Sequence, residues 1–310
     1  MPSFTPISGL IAAPFTPLRS NGALHLTPIS RYAKYLAGAG VRGAFICGTT
    51  GEGASLTTAE RMQVAVAWRR ARPRGFAVIV HVGNNCQADS CELARHAQKI
   101  GADAIATVAP SFFRPANIAD LVEWCAPIAA AAPRLPFYYY HIPSMAGADF
   151  PMTKLLALAA RRIPSFAGIK YTHDNLMDFG NTLTLAGKRH AVLAGRDEIL
   201  LSYLVIGARG AVGSTYNYAA PIYRRLIEAH EAGDRAAARR WQALVRRFIG
   251  VMIECGGLAA NKAMMKLVTG IDCGPVRPPL RNLTAAEVTR LRRGLQDCGL
   301  FAGLAEAQGR

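Results

Sequence analysis

The chain has 310 residues, of which 51% are hydrophobic, and its formal net charge at pH 7 is +16. A basic excess of this size raises the question of nucleic-acid binding. However, the arginines are scattered in short groups, as at 69–72 and 239–240, with no aromatic residues interleaved. Such a distribution is typical of solvated helix faces, so we expect no nucleic-acid partner.

Cysteine usage and the N-terminus bear on the compartment. The seven cysteines form an odd set without a C-x-x-C pair or metal-ligand spacing, which is typical of reduced thiols. The N-terminus lacks the charged and apolar regions of a signal peptide. No stretch is long and apolar enough to span a bilayer. We therefore expect a cytoplasmic protein with no membrane partner.

Taken in order, short apolar runs alternate with segments of helical periodicity. Strands are predicted over 10–15, 43–47, 76–82, 103–109, 137–140, 166–173, 191–195 and 211–212. Helices are predicted over 27–39, 58–72, 87–100, 117–131, 152–161, 175–187, 198–206 and 221–232. Thr57 followed by Glu60 predicts a capping box for the second helix.

This alternation predicts a (β/α)₈ TIM barrel, because parallel strands need crossover helices and eight such units close the sheet. We assign the barrel to residues 1–233. Residues 234–310 are predicted to form a C-terminal helical extension of about three helices packed on the barrel. No Pro/Ser-rich linker separates the two parts, so they are expected to form one structural unit.

Active sites in such barrels lie at the C-terminal ends of the strands. Widely separated segments place polar or small residues there: Thr49, Thr50, Tyr140, His141, Lys170, Thr172, Asp197, Glu198, Gly213 and Ser214. The sequence therefore predicts that these residues converge on one mouth of the barrel.

Lys170 is the most informative of these residues. Seven of the 36 basic residues are lysines, and Lys170 alone interrupts a predicted strand. An amine in an apolar wall must be paired, neutral or functional. Burial favours the neutral amine, which can attack a ketone to form an iminium. For a 2-oxo acid substrate, the turn at Thr49 and Thr50 suits the carboxylate, and Tyr140 suits proton transfer.

Each of the other features also has a purely structural interpretation, which the residues alone leave open. The turn at 48–52 can be a tight connection, and Tyr140 can be a core aromatic. His141 can hydrogen-bond the backbone and fix the turn before Pro143. Asp197 and Glu198 can be the acidic residues that a helix N-terminus favours.

Three motifs together resemble the pyruvate-dependent class I aldolases of the dihydrodipicolinate synthase and N-acetylneuraminate lyase superfamily. They are Gly-Thr-Thr-Gly-Glu at 48–52, Tyr-His-Ile-Pro at 140–143 and Gly-Ile-Lys at 168–170. The resemblance implies that Lys170 forms a Schiff base with pyruvate or another 2-oxo acid. It also implies that Tyr140 moves protons and that Thr49 and Thr50 bind the carboxylate, with Thr50 close to the chemistry.

Within the superfamily the chain is more similar to the lyase branch. An arginine that the synthase branch carries shortly after the proline is replaced here by Ser-Met-Ala-Gly at 144–147. Segments 195–198 and 213–217 instead resemble lyase motifs. The resemblance implies substrate contacts, mostly with the polyhydroxyl tail of a sugar acid, by Gly195, Asp197, Glu198, Ser214 and Thr172.

The implied activity is retro-aldol cleavage of N-acetylneuraminate to N-acetylmannosamine and pyruvate. It requires no metal and no cofactor beyond the Schiff base, and the family is commonly a homotetramer. Open alternatives are a related aldolase or dehydratase for another 2-oxo-3-deoxy sugar acid, a synthase-like condensation, and a non-catalytic ligand-sensing or nucleic-acid-associated protein.

One segment departs from the family pattern. Many members have tyrosines in a proton relay where this chain reads Ser-Phe-Phe-Arg at 111–114, and Phe112 cannot relay a proton. We therefore expect either that Tyr140 works with Thr50 and the substrate carboxylate, or that the aldehyde partner differs.

Overall fold

The computed structural model describes residues 4–309. Its eight strands are parallel to their neighbours and close into a barrel in chain order. The strands are β1 (Gly9–Ala12), β2 (Gly43–Ile46), β3 (Ala77–His81), β4 (Ala104–Val108), β5 (Phe137–His141), β6 (Phe166–Tyr171), β7 (Ala191–Ala194) and β8 (Gly210–Gly213). The prediction of a (β/α)₈ barrel is confirmed, and each observed strand overlaps its predicted segment.

Helices follow the strands as the periodicity predicts. In the barrel they are α1 (Ile29–Gly38), α2 (Thr58–Ala71), α3 (Gln87–Lys99), α4 (Ile118–Ala130), α5 (Pro143–Ala146), α6 (Met152–Arg162), α7 (Leu176–Ala186), α8 (Leu200–Ile206) and α9 (Tyr216–Glu231). The predicted capping box is present, because Thr57 and Glu60 each accept a hydrogen bond from the other's backbone N–H.

Helix α9 and the C-terminal extension differ from the prediction. Helix α9 begins at Tyr216 and contains Pro221 in its interior, whereas the sequence placed the proline at the start. The extension contains four helices within residues 4–309: α10 (Arg235–Glu254), α11 (Leu258–Thr269), α12 (Ala285–Asp297) and α13 (Leu300–Ala307). About three were expected. Gly299, in the left-handed conformation with φ 84°, separates the last two helices.

The core has two layers. Inward-facing strand residues such as Ile11, Phe45 and Tyr138 fill the barrel, and a larger cluster lies between the strands and the helices. Helices α10 and α13 of the extension pack against α9. The predicted boundary at 233 falls between α9 and α10, where the Asp234 side chain caps α10.

None of the helices between residues 4 and 309 is long and apolar enough to cross a membrane.

Candidate active site

The predicted site residues occupy one end of the barrel, in or directly after the carboxyl ends of their strands. They are Thr49 and Thr50 after β2, Tyr140 in β5, Lys170 in β6 with Thr172 following it, Gly195, Asp197 and Glu198 after β7, and Ser214 after β8. Because all eight strands are parallel, these positions converge on a common mouth.

Lys170 and Tyr140 form the centre of this mouth. They are register partners on the adjacent strands β5 and β6, and both are buried. The Lys170 Nζ lies 3.8 Å from the centroid of the Tyr140 ring and 4.2 Å from that of Phe45. Two aromatic faces therefore wall the amine, as the sequence predicted for a lysine within an apolar strand.

His81, at the end of β3, is a neighbour that the sequence did not single out. Its ring is perpendicular to that of Tyr140, with centroids 5.9 Å apart, and it also contacts Phe45. Burial lowers the pKa of His81 well below its usual value, and the positive charges of Arg61 and Lys170 lower it further. A neutral imidazole thus lies beside the two aromatic rings that contact Lys170.

The turn after β2 brings a hydroxyl to this centre. The Thr49 Oγ1 lies 3.4 Å from the Tyr140 Oη, and Thr50 beside it is half-buried. Two non-glycine residues bracket the turn in the left-handed region, Cys47 with φ 57° and Glu52 with φ 54°. Such backbone conformations are costly and persist only where surrounding contacts enforce them.

Glu52 supplies those contacts from the base of the turn. Its carboxylate is buried and lies 2.7 Å from the Nζ of Lys262 on α11. Its second oxygen accepts a hydrogen bond of 2.7 Å from the backbone N–H of Arg277. Burial lowers the pKa of Lys262, while the charge of Glu52 opposes that shift. The extension therefore holds the turn that presents Thr49 and Thr50.

Asp197 faces the mouth from the other side. Its Oδ2 accepts hydrogen bonds from the backbone N–H and the hydroxyl of Thr215, at 3.0 and 2.6 Å. Its Oδ1 is buried without a partner among the described residues. Burial raises the pKa of Asp197 to about 6, and the charge of Glu198 adds to the shift. One carboxylate oxygen is thus held by Thr215, while the other is buried beside Gly213.

The remaining predicted residues surround Asp197. Glu198 pairs with Arg196 at 3.2 Å, and both side chains are partly exposed. The Thr172 Oγ1 is buried without a partner in the described part of the chain. A Cβ added at Gly195 would overlap this oxygen, so a glycine is required for Thr172 to hold its position. Thr172 and Asp197 therefore each present an oxygen with unused hydrogen-bonding capacity.

Two polar residues of the extension support this side, and the sequence pattern missed both. Gln242 in α10 donates to the backbone carbonyls of Asp197 and Glu198, at 3.2 and 3.0 Å. Asn261 in α11 donates to the Ser214 Oγ at 2.9 Å. In the sequence they are single polar residues within amphipathic helices, and nothing local distinguishes them from surface residues.

The segment at 111–114, which departs from the family pattern, lies in an exposed loop. Within the single chain the side chains of Phe112 and Phe113 are 79% and 83% exposed, with their rings perpendicular at a centroid distance of 4.9 Å. Arg114 folds back to donate from its Nε to the Ser111 carbonyl at 3.0 Å. The segment thus presents an aromatic pair at the surface of the chain.

Comparison with known proteins gives a consistent result. The model of the dihydrodipicolinate synthetase family matches residues 6–298. The N-acetylneuraminate lyase of Rattus norvegicus is 45% identical over 282 residues, which cover 90% of this chain and 88% of the relative. The Homo sapiens enzyme of the same name is 43% identical over 279 residues, covering 89% and 87%.

A solved structure agrees. The Proteus mirabilis N-acetylneuraminate lyase superposes with a TM-score of 0.92 at 40% identity, covering 94% of this chain and 99% of that one. Since the family model spans nearly the whole chain and the strand ends carry the three predicted motifs, this protein belongs to the dihydrodipicolinate synthetase family.

Proposed function

We propose that this chain is a class I aldolase that cleaves N-acetylneuraminate to N-acetylmannosamine and pyruvate through a Schiff base on Lys170. One observation carries the assignment to this chemistry: the buried Lys170 amine lies against Tyr140, whose hydroxyl approaches that of Thr49. The lyase names of the rat and human relatives, at 45% and 43% identity, support the choice of substrate.

The reaction begins at Lys170. Its neutral Nζ attacks the C2 ketone of the open-chain sugar acid, and loss of water gives an iminium. Tyr140 takes the proton of the C4 hydroxyl as the C3–C4 bond breaks. The bonding electrons move into the iminium to form an enamine, and the aldehyde leaves. Protonation at C3 and addition of water then release pyruvate and the free amine. Acid–base help by Tyr140 is expected to contribute about 10²- to 10⁴-fold.

Thr49 and Thr50 bind the substrate carboxylate in this scheme. In this scheme the carboxylate lies beside the phenol, and the distance of 3.4 Å between the Thr49 and Tyr140 hydroxyls supports this arrangement. We infer that Tyr140 exchanges its proton through these hydroxyls and the carboxylate, because Phe112 offers no phenol. Thr50 is then part of the proton path as well as of the binding site.

The sugar tail lies toward β7 and β8. The free Oδ1 of Asp197 and the carboxylate of Glu198 accept hydrogen bonds from sugar hydroxyls, and Ser214 and Thr172 contribute hydroxyls of their own. Gly195 leaves the space that Thr172 needs. No metal or organic cofactor takes part in these steps. We also propose a homotetrameric, cytoplasmic enzyme, as the family resemblance implies.

Borohydride trapping tests the Schiff base. Incubation with pyruvate and borohydride is expected to add one reduced pyruvate unit, which peptide mass spectrometry locates on Lys170. The variant Lys170→Ala should give no adduct and lose cleavage, whereas Lys154→Ala, on the barrel surface, should behave as the parent protein. An adduct elsewhere, or none, would overturn the proposal.

A second experiment separates substrate choice from imine chemistry. Replacing Asp197 and Glu198 by Ala should cripple pyruvate release from N-acetylneuraminate while the pyruvate adduct still forms. A panel of 2-oxo-3-deoxy sugar acids is assayed in parallel. Unchanged turnover of N-acetylneuraminate by the double variant would rule out the assignment of the sugar subsite.

A further inference from the structure

A cluster of two histidines and one aspartate lies directly behind the reacting residues. His141 ends β5, His173 follows β6, and Asp149 lies in the segment after α5. One ligand atom from each side chain can be chosen so that all three lie within 4.8 Å of one another. The proposed chemistry uses none of these three side chains.

His141 has hydrogen-bonding capacity that no protein group satisfies. It is fully buried, and neither ring nitrogen has a partner among residues 4–309. The alternative interpretation, in which the His141 side chain hydrogen-bonds the backbone and fixes the turn before Pro143, is therefore wrong. Buried polar side chains nearly always have a partner, so an imidazole with two free nitrogens indicates a ligand that the chain itself does not supply.

His173 is oriented as a metal-binding histidine would be. Its Nδ1 lies 3.1 Å from a carboxylate oxygen of Asp174, and its Nε2 lies 3.8 Å from Asp149. With Nδ1 beside the Asp174 carboxylate, Nε2 is the ring nitrogen on the side of Asp149. A carboxylate behind a histidine is the common arrangement that fixes the tautomer of a metal ligand.

We propose that His141, Asp149 and His173 bind one divalent transition-metal ion of the zinc class, with water as the fourth ligand. Two imidazoles and one carboxylate suit Zn²⁺ and its first-row neighbours, whereas Mg²⁺ and Ca²⁺ prefer sites made of oxygen alone. The ion is structural and does not contact the substrate.

The geometry allows this with a small adjustment. Metal–ligand distances of about 2.0–2.2 Å place tetrahedral ligand atoms about 3.3 Å apart, which is closer than the cluster is now. His141 is fixed in the core, but the Asp149 side chain is 67% exposed and lies outside any helix or strand. Rotation of Asp149 and a slight shift of His173 therefore close the site.

Such an ion would connect the two reacting strands. The backbone N–H of Thr172 already donates to the His141 carbonyl at 2.8 Å, so the ends of β5 and β6 are in contact. His141 follows Tyr140 directly, and His173 lies three residues after Lys170. A metal bridge would tie these strand ends to the segment that carries Asp149.

The test is metal binding by the full-length protein after chelator treatment and dialysis. Isothermal titration with Zn²⁺ is expected to show one site, and Zn²⁺ at about 100 times its Kd should raise Tm by about 5 °C. Mg²⁺ should give neither effect. Cobalt should give a tetrahedral visible spectrum without the sulfur charge-transfer absorption that binding to the exposed Cys86 would produce.

Variants locate the site. His173→Asn and Asp149→Asn each remove a proposed ligand and should weaken Zn²⁺ binding by at least about 100-fold. Asp174→Asn removes the carboxylate beside His173 and should weaken binding by about 10- to 100-fold. His230→Asn, a histidine in α9, should bind as the parent protein does. If His141→Asn fails to fold, the surface variant Asp149→Asn still decides. Three results would each overturn the proposal. They are no Zn²⁺ binding, a cobalt spectrum with thiolate charge-transfer absorption, and Zn²⁺ binding that is unchanged in both Asp149→Asn and His173→Asn.

Discussion

Two turns form opposite sides of the mouth, and the C-terminal extension holds each of them by different means. The turn at 48–53 depends on a buried ion pair between Glu52 and Lys262. The turn at 195–199 depends on neutral hydrogen bonds from Gln242 to backbone carbonyls. A charge left buried without its partner is far costlier than a lost neutral hydrogen bond. Damage to the first turn should therefore mainly lower the stability of the protein, whereas damage to the second should mainly weaken substrate binding.

The largest expected effect comes from Lys262→Met. This change leaves the Glu52 carboxylate buried without a counter-charge, and the free energy of unfolding should fall by about 3–5 kcal/mol. Urea denaturation measures the loss. The double variant with Glu52→Gln should recover part of it, because the uncompensated charge is then removed.

A matched control lies one helical turn away. Lys266 pairs with Asp272 at the same N···O distance of 2.7 Å, but the two side chains are 64% and 55% exposed. Lys266→Met should cost less than about 1 kcal/mol, since solvent screens exposed pairs. Equal losses of unfolding free energy in the two variants would show that burial of the Lys262 ion pair is not the cause of the destabilisation.

Gly213→Ala is expected to have the next largest effect. The added Cβ would overlap the Asp197 carboxylate and push it out of the sugar subsite. A displacement of about 1 Å can cost about 100-fold in rate, so kcat/KM for N-acetylneuraminate should fall by about that factor. Gly250→Ala, in α10 with nothing near the new methyl group, is the control. Normal kinetics in Gly213→Ala would contradict the placement of Asp197 in the subsite.

Gln242→Ala tests the second turn more gently. It removes two donors to the turn and the acceptor for the Leu201 N–H. Each such bond contributes about 1 kcal/mol, so KM for the sugar acid should rise about tenfold or more, while trapping of the pyruvate adduct stays unchanged. Arg196→Gln breaks only a partly exposed ion pair with Glu198 and should change KM by no more than a few-fold. A larger effect in Arg196→Gln than in Gln242→Ala would reverse the comparison.

The smallest effect is expected from pH. Because burial raises the pKa of Asp197 to about 6, only about a tenth of it is ionised at pH 5, and KM should rise about tenfold between pH 7 and pH 5. Protonation favours the folded state, so the contribution of Asp197 to stability should decrease as pH rises from about 4 to 6. Asp197→Asn should remove both trends. Kinetic pH profiles and urea midpoints measure them, and a pH-dependent KM that persists in Asp197→Asn would assign the titration elsewhere.

The barrel and the mouth that carries Lys170 could be predicted from the sequence because they depend on local pattern. Strand and helix periodicity, followed by polar residues at the strand ends, placed Lys170, Tyr140 and Thr49 at one mouth, and the structure confirms their proximity. Position along parallel strands determines such neighbours, so they can be inferred without knowing how distant helices pack.

The residues that support the site residues from the C-terminal extension were decided by tertiary structure alone. Lys262 meets Glu52 across 210 positions of sequence, and Gln242 meets Asp197 across 45. Helical periodicity shows that such residues lie on a helix, but not which strand end that helix will cover. The sequence by itself thus determined the amine, the phenol and the hydroxyl turn. Only the packing of the extension decided which buried partners hold them, because those contacts depend on the paths of two helices that no local signal specifies.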